Sequence, residues 1–411
     1  MGKLRVFEIV FDNGKSVYNP SELVNGKCIV DLRGDMKMKT LRILMRGVAK
    51  VHWTESRSTG NRLGAYTEHY NAEIEYFLKR QVLFGSETGD GREVLTEGRH
   101  EFHFSFQLPS GGISTSFEGK YGSIRYWLKA EMEKPWTFNH KAKKAFTVIC
   151  PIDINRSEYL VPVENNMEKV LCCWCCTSGP ISLYARTDRK GYCPGESIAI
   201  TADFENLSSR TIIPHATLHQ TQTFLAGGKS RTRHSKYTIV TGLAIQPGRT
   251  TSWDAQLLKI PAVTPSIINC CLIRVDYAVR ISLQIPGAYN LSMDLPVLIG
   301  TVPLRPANYR HMTPILENGN EIPESPMYYQ PAPPYSEVDM SSIPVEPPPT
   351  YAECVEGSVD IADEDDDNII GDTRFTPMYA YVHSYHHQPP PAYSEIDPQN
   401  RQQYSYSSEI S

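Results

Sequence analysis

Several things are missing from this chain of 411 residues, and each absence excludes something. No run of about 18 apolar residues occurs, so no ordinary membrane-spanning helix is expected. No apolar segment follows Met1, and the expectation is a cytoplasmic protein. No stretch keeps a helical period, which argues against a helical bundle or an alternating α/β chain. There is no G-x-S-x-G elbow, no phosphate-binding glycine loop ahead of a helix and no H-E-x-x-H. Serine, histidine and acid residues are plentiful, but nothing fixes them in one place, so neither catalysis nor a cofactor is expected. The 10 cysteines include no second pair at zinc-ribbon spacing, so no metal site is expected. Lysine is absent beyond Lys259.

What is present falls into two regimes. After Leu304 come sixteen of the 30 prolines, few long aliphatics, and 18 acidic residues against four arginines, about −14. With −5 overall, the part before it is near +9. A tail of that composition buries too little apolar surface to fold alone, and 305–411 is expected to be disordered. The basic body suits anionic partners such as an acidic protein segment or anionic lipid headgroups. The acidic tail either folds back on that body or merely stays soluble by its charge.

Up to residue 304 the pattern has period two. From Leu41 to Trp53 the odd positions are Leu41, Ile43, Met45, Gly47, Ala49, Val51 and Trp53, with Arg42, Arg46, Lys50 and His52 among the residues between. One face is buried and one is wet, as the antiparallel sheets of a sandwich require. The alternation recurs at Phe102 to Leu108, Ile124 to Met132 and Phe146 to Cys150. After an unpatterned connection it resumes at Ile198 to Phe204 and at Val275 to Ile285. The expected architecture is all-β: two immunoglobulin-like β-sandwiches, 1–155 and 179–304, an inter-domain connection 156–178, and the proline-rich tail. The sandwiches read as copies. Pro20-Ser21-Glu22 precedes the strand through Cys28 as Pro194-Gly195-Glu196 precedes the strand through Ile198, and Leu108-Pro109 leads to Tyr126 as Ile260-Pro261 leads to Tyr277. Cys28, Cys150, Cys193 and Cys270 sit in or beside strands, where a small apolar residue would serve.

The tail repeats Pro-Pro-x-Tyr at Pro348, Pro349 and Tyr351 and again at Pro390, Pro391 and Tyr393. Proline fixes φ near the polyproline II value, so the segment is extended before it binds and loses little entropy on docking. WW domains hold two such prolines in an aromatic groove with the tyrosine in a neighbouring pocket. Each copy follows a third proline and precedes a glutamate, Glu353 or Glu395, which argues against chance. Pro333, Pro334 and Tyr335 form a weaker copy with alanine ahead of the pair. A flexible chain would separate Tyr351 from Tyr393 by roughly 35 Å, which suits tandem WW domains.

Cys172, Cys173, Cys175 and Cys176 flank Trp174 in the connection. Plain thiols come first as their reading and reversible palmitoylation second, with metal or redox chemistry ranked below both. Asp363 to Asp367 is expected to be a solvated spacer, and His383, His386 and His387 loose polar tail. Tyr335 to Val338 and Tyr393 to Ile396 also spell tyrosine-x-x-aliphatic, a short and frequent sorting pattern.

Gly47-Val48-Ala49-Lys50-Val51-His52-Trp53-Thr54-Glu55-Ser56, Thr115-Ser116-Phe117-Glu118-Gly119-Lys120-Tyr121-Gly122, Arg189-Lys190-Gly191-Tyr192 and Leu295-Pro296-Val297-Leu298-Ile299-Gly300 carry a resemblance. The chain resembles the arrestin-domain-containing proteins, or alpha-arrestins, whose relatives include thioredoxin-interacting protein. The resemblance implies two arrestin-type sandwiches acting as a non-enzymatic adaptor. Its body would engage membrane receptors or transporters as cargo, and its tail would recruit HECT-type ubiquitin ligases through their WW domains. That implies cargo ubiquitination, endocytosis and endosomal or lysosomal sorting by a protein peripheral at the plasma membrane and endosomes or lysosomes. No leucine-rich acidic clathrin box and no amphipathic helix in the first sandwich is present, so clathrin linking in the manner of visual and beta-arrestins is not expected. The alternatives are an arrestin-fold scaffold or coat component that recruits no ligase, and a redox-linked regulator. No nucleic acid is expected as a partner.

Overall fold

Alternating side chains need a sheet buried on one face, and two such sheets satisfy each other by closing over a shared core. The computed structural model describes residues 3–58, 65–86, 88, 93–134, 139–173, 176–305, 350–355, 357–362 and 369–382. The first unit contains β1 (Leu4–Phe11), β2 (Val17–Tyr18), β3 (Leu23–Leu32), β4 (Met36–Met38), β5 (Thr40–Ser58), β6 (Ala65–Gly85), β7 (Glu93–Leu95), β8 (Gly98–Gln107), β9 (Phe117–Gly119), β10 (Gly122–Glu133) and β11 (His140–Val148). Its sheets run β1-β3-β8 and β2-β11-β10-β5-β6. The odd positions of β5 from Leu41 to Trp53 are all buried, as the alternation requires.

The second unit contains β12 (Val163–Cys173), β13 (Cys176–Thr187), β14 (Gly191–Tyr192), β15 (Ser197–Asn206), β16 (Ile213–Ala226), β17 (Lys229–Thr241), β18 (Arg249–Lys259), β19 (Ile273–Gln284) and β20 (Leu291–Ile299). Its sheets run β12-β13-β15-β18 and β14-β20-β19-β16-β17. The larger sheet of the first unit therefore has the strand order of its counterpart here, down to the short parallel pairs β2 with β11 and β14 with β20.

The copied sequence turns make the same bonds. Glu22 accepts from the backbone N–H of Asn19 at 3.1 Å and Glu196 from that of Cys193 at 2.9 Å. The residue before each glutamate turns at positive φ, 68° at Ser21 and 93° at Gly195. Tyr126 donates its hydroxyl to the carbonyl of Ser114, as Tyr277 does to that of Thr264. Each pair ties a central strand to the loop before it and satisfies a polar tip inside the core.

The stretch read as an unpatterned connection contributes instead the strand β12, paired along β13 from Val163 opposite Thr187 to Cys173 opposite Cys176. Its sequence does not alternate because this edge strand is wet on both faces: Glu164 to Glu168 and Val170 are exposed.

The two cores meet. Phe117 of the first unit and Phe224 of the second are fully buried with ring centroids 6.2 Å apart, and Tyr121 meets Phe224 edge-on at 5.7 Å. Hydrogen bonds also cross between the units. The carbonyl of Ile152 accepts from the N–H groups of Thr301 and Val302, and Asn269 reaches the carbonyl of Ile113 at 3.0 Å.

Among the described residues of the tail, two short strand pairs form. Strands β21 (Thr350–Glu353) and β24 (Met378–Tyr381) pair antiparallel, as do β22 (Val359–Asp360) and β23 (Arg374–Phe375). Cys354, Ile361, Tyr379 and Ala380 are buried. Val382, from the same segment, packs against the small cluster of Ile154, Cys193 and Leu298 in the body.

Candidate functional site

Among the described residues, no three His, Cys, Asp or Glu are grouped to hold a metal. Desolvation pushes the thiol of Cys28 up to about 12 and that of Cys150 up to about 11, which keeps both protonated and unreactive. Cys193 is fully buried and raised further, first by desolvation. No helix among the described residues is long and apolar enough to cross a membrane.

Of the segment residues singled out in the sequence, Pro348, Pro349, Pro390, Pro391 and Tyr393 lie outside the described residues, as do Pro333, Pro334 and Tyr335. Tyr351 is described in its backbone, in β21 opposite Ala380 of β24. In the cysteine cluster, Cys172 and Cys173 end β12 and Cys176 begins β13, with Cys172 opposite Thr177 and Cys173 opposite Cys176. Trp174 and Cys175, between them, lie outside the described residues, as do Asp363 to Asp367 and His383, His386 and His387.

The folded-back part of the tail lies over the place where the two units and β11 come together. The hydroxyl of Tyr379 donates to the carbonyl of Ser116 at 2.9 Å and accepts from Thr264 at 3.2 Å. One tail side chain thus touches both sandwiches. Val355 donates to the carbonyl of Ala262, and Val382 to that of Pro194 at 2.9 Å. The N–H of Met378 reaches the hydroxyl of Thr147 at 3.2 Å.

Along β11 the contact is cationic. Lys143 is 5% exposed, stacks over the Trp127 ring at 4.6 Å and donates to the carbonyl of Ile361 at 2.8 Å. Ile370 donates to the carbonyl of Lys141, in a parallel bridge between Lys141 and Ile369. Beyond its short pairing with β2, β11 would otherwise present an open edge there, and the tail covers it. β24 also walls a cleft of about 610 Å³ lined by Lys15, Ser16, Glu22, Ile149, Thr301 and Met378.

Sequence reasoning did not find the docking residues Ser116, Lys143, Thr147, Pro194, Ala262 and Thr264. They lie far apart in the chain and are unremarkable one by one. A signal did exist on the tail side: Phe375, Met378, Tyr379, Ala380 and Val382 form an apolar run inside an otherwise polar, acidic stretch.

A second charged surface is the edge strand β17. Lys229 bonds the Tyr70 hydroxyl and sits 3.8 Å from Glu68, and Arg231 lies 4.6 Å over Tyr121, so these two cations join the units. Arg233 and Lys236 on the same strand are exposed.

Comparisons with known proteins fit this architecture. Residues 7–155 match the arrestin (or S-antigen) N-terminal domain and residues 177–304 the arrestin (or S-antigen) C-terminal domain. The chain is 38% identical to arrestin domain-containing protein 4 of Homo sapiens, over 97% of this chain and 93% of that one. Its identity to the Mus musculus protein of the same name is 36%, covering 97% and 94%. Thioredoxin-interacting protein of Homo sapiens is 32% identical, over 96% of this chain and 97% of that protein.

Proposed function

The chain belongs to the alpha-arrestin family, an arrestin-fold adaptor or scaffold, and from that premise we propose that it recruits WW-domain HECT ubiquitin ligases to membrane cargo. The observation that carries the reading is the coupling, in one chain, of an arrestin double sandwich to two complete Pro-Pro-x-Tyr copies. A folded body that presents broad sheets and cationic edges is suited to engage a receptor or transporter. A tail bearing preformed proline ligands is suited to hold a second protein nearby, where the gain is effective concentration. On this reading the protein promotes cargo ubiquitination, endocytosis and sorting to endosomes or lysosomes, and is peripheral at those membranes. Nothing in the reading calls for catalysis by the chain itself.

Pro348, Pro349 and Tyr351, with Pro390, Pro391 and Tyr393, are assigned to WW domains. The double variant Tyr351→Ala, Tyr393→Ala is expected to lose co-precipitation of the ligase while its circular dichroism and thermal unfolding stay unchanged. Undiminished ligase binding by that variant overturns the assignment. Because lysine ends at Lys259, a ligase held on the tail has body lysines or the cargo as amine acceptors. Mass-spectrometric mapping of ubiquitin remnants on the complex should place them there.

A further inference from the structure

The structure assigns the groove between the two sandwiches as a binding site for this chain's own residues 350–355 and 378–382, whose docking masks the proximal Pro-Pro-x-Tyr copy. The masking rests on the WW reading given above; the docking does not.

The groove is shaped for a backbone. Gly195 sits at φ 93°, and a Cβ there would fall 2.2 Å from the carbonyl oxygen of Val382. The body therefore leaves out a side chain where the tail passes. Tyr379, 1% exposed, is the anchor, since its hydroxyl is satisfied by one residue from each sandwich. The bond from Val355 to Ala262 holds the β21 side, and those from Val382 to Pro194 and Met378 to Thr147 hold the β24 side. Lys143, through the carbonyl of Ile361, pins the loop between them.

The proximal copy ends inside this arrangement. Thr350 and Tyr351 are in ladder register with Tyr381 and Ala380, and Ala352 lies opposite the anchor Tyr379. Cys354, three residues past the motif tyrosine, is buried, and its N–H bonds the carbonyl of Pro377 at 3.0 Å. A WW domain takes its ligand as a polyproline II segment, with no ladder bonds, laid across its own sheet. Seating Tyr351 there requires β21 to leave β24 and, through Val355, to leave Ala262. The apparent affinity of the proximal copy then falls by the fraction of time that β21 is undocked. The distal copy at Tyr393 lies outside the described residues, so the masking is assigned to the proximal copy alone.

The test titrates an isolated WW domain of a HECT ligase against four species: a synthetic peptide of residues 343–357, the full chain Tyr335→Ala, Tyr393→Ala, the same chain with Tyr379→Ala added, and the full chain Tyr335→Ala, Tyr351→Ala. The proximal-only chain is expected to bind at least about tenfold more weakly than the peptide, with Tyr379→Ala restoring most of the difference. Lys143→Met, which removes the donor to Ile361, is the second unmasking variant should Tyr379→Ala fold poorly. Equal binding by peptide and proximal-only chain overturns the masking. So does a failure of both unmasking variants to move the affinity. If the WW domain binds neither the peptide nor the distal-only chain, the ligase reading falls and takes the masking with it. Hydrogen exchange decides the docking separately: amides of Val355, Met378 and Val382 should be protected in the full chain and exposed in Tyr379→Ala. Fast exchange at all three in the unmodified chain overturns the groove assignment.

Discussion

At the scale of single residues, the two sandwiches repeat a turn yet stake different amounts on it. Glu22 is partly exposed and pairs with Lys15, whereas Glu196 is fully buried and meets Arg189 at 3.0 Å. The Glu196 carboxyl is raised above the usual carboxylate range, first by desolvation and against the pull of Arg189. Removing one partner from a buried pair leaves the other charge without compensation, which costs about 3–5 kcal/mol. Glu196→Gln is therefore expected to lower the free energy of unfolding from urea titration by about 3 kcal/mol. Glu22→Gln should cost under about 1 kcal/mol, since exposed pairs contribute little. Similar losses for the two would show that burial is not what sets the difference. The sequence pattern Pro-x-Glu announced the shared turn, but not which copy was buried, because burial depends on what packs above it.

At the scale of elements, the tail hairpin β22–β23 is held partly by carboxylates. Asp360 is pulled below the usual range first by the N–H of Ala362, then by Thr373, with Arg125 and Lys143 adding their charge. Asp372 is pulled down first by the N–H of Arg374, with the Arg374 and Lys144 charges helping. A depressed folded-state value means that the contribution is complete above the unfolded value and lost as pH falls through the folded one. Protection factors of amides in Val359 to Ile361 should therefore drop as pH is taken below about 4, while those of β19 hold. Constant protection across that window would mean that the hairpin does not depend on these acids. Elements of the body were legible wherever one face was wet, as in β5 and β19. β12 was not, because a strand exposed on both faces has no reason to alternate. The tail strands were hidden too, since their apolar partners lie in the body.

At the scale of the whole molecule, Phe224 is the joint. It is fully buried in the second unit and packs on Phe117 and Tyr121 of the first. Phe224→Ala is expected to cost about 3–5 kcal/mol and to split thermal unfolding into two calorimetric transitions, one per sandwich. A single transition at the unmodified temperature would show that the units are coupled elsewhere. Period, composition and motif were enough for the all-β class, the copied design of the two units, the opposed charges of body and tail, the paired Pro-Pro-x-Tyr copies and the absence of tail lysine. Each of these is a local pattern or a count, and local patterns survive without knowledge of neighbours. It took the folded chain to show that Tyr379 bridges both sandwiches, that Gly195 makes room for Val382, and that Tyr351 stands in a ladder opposite Ala380. Those contacts join residues up to 263 positions apart, as Ser116 and Tyr379 are, and no local period encodes which distant segment completes a groove.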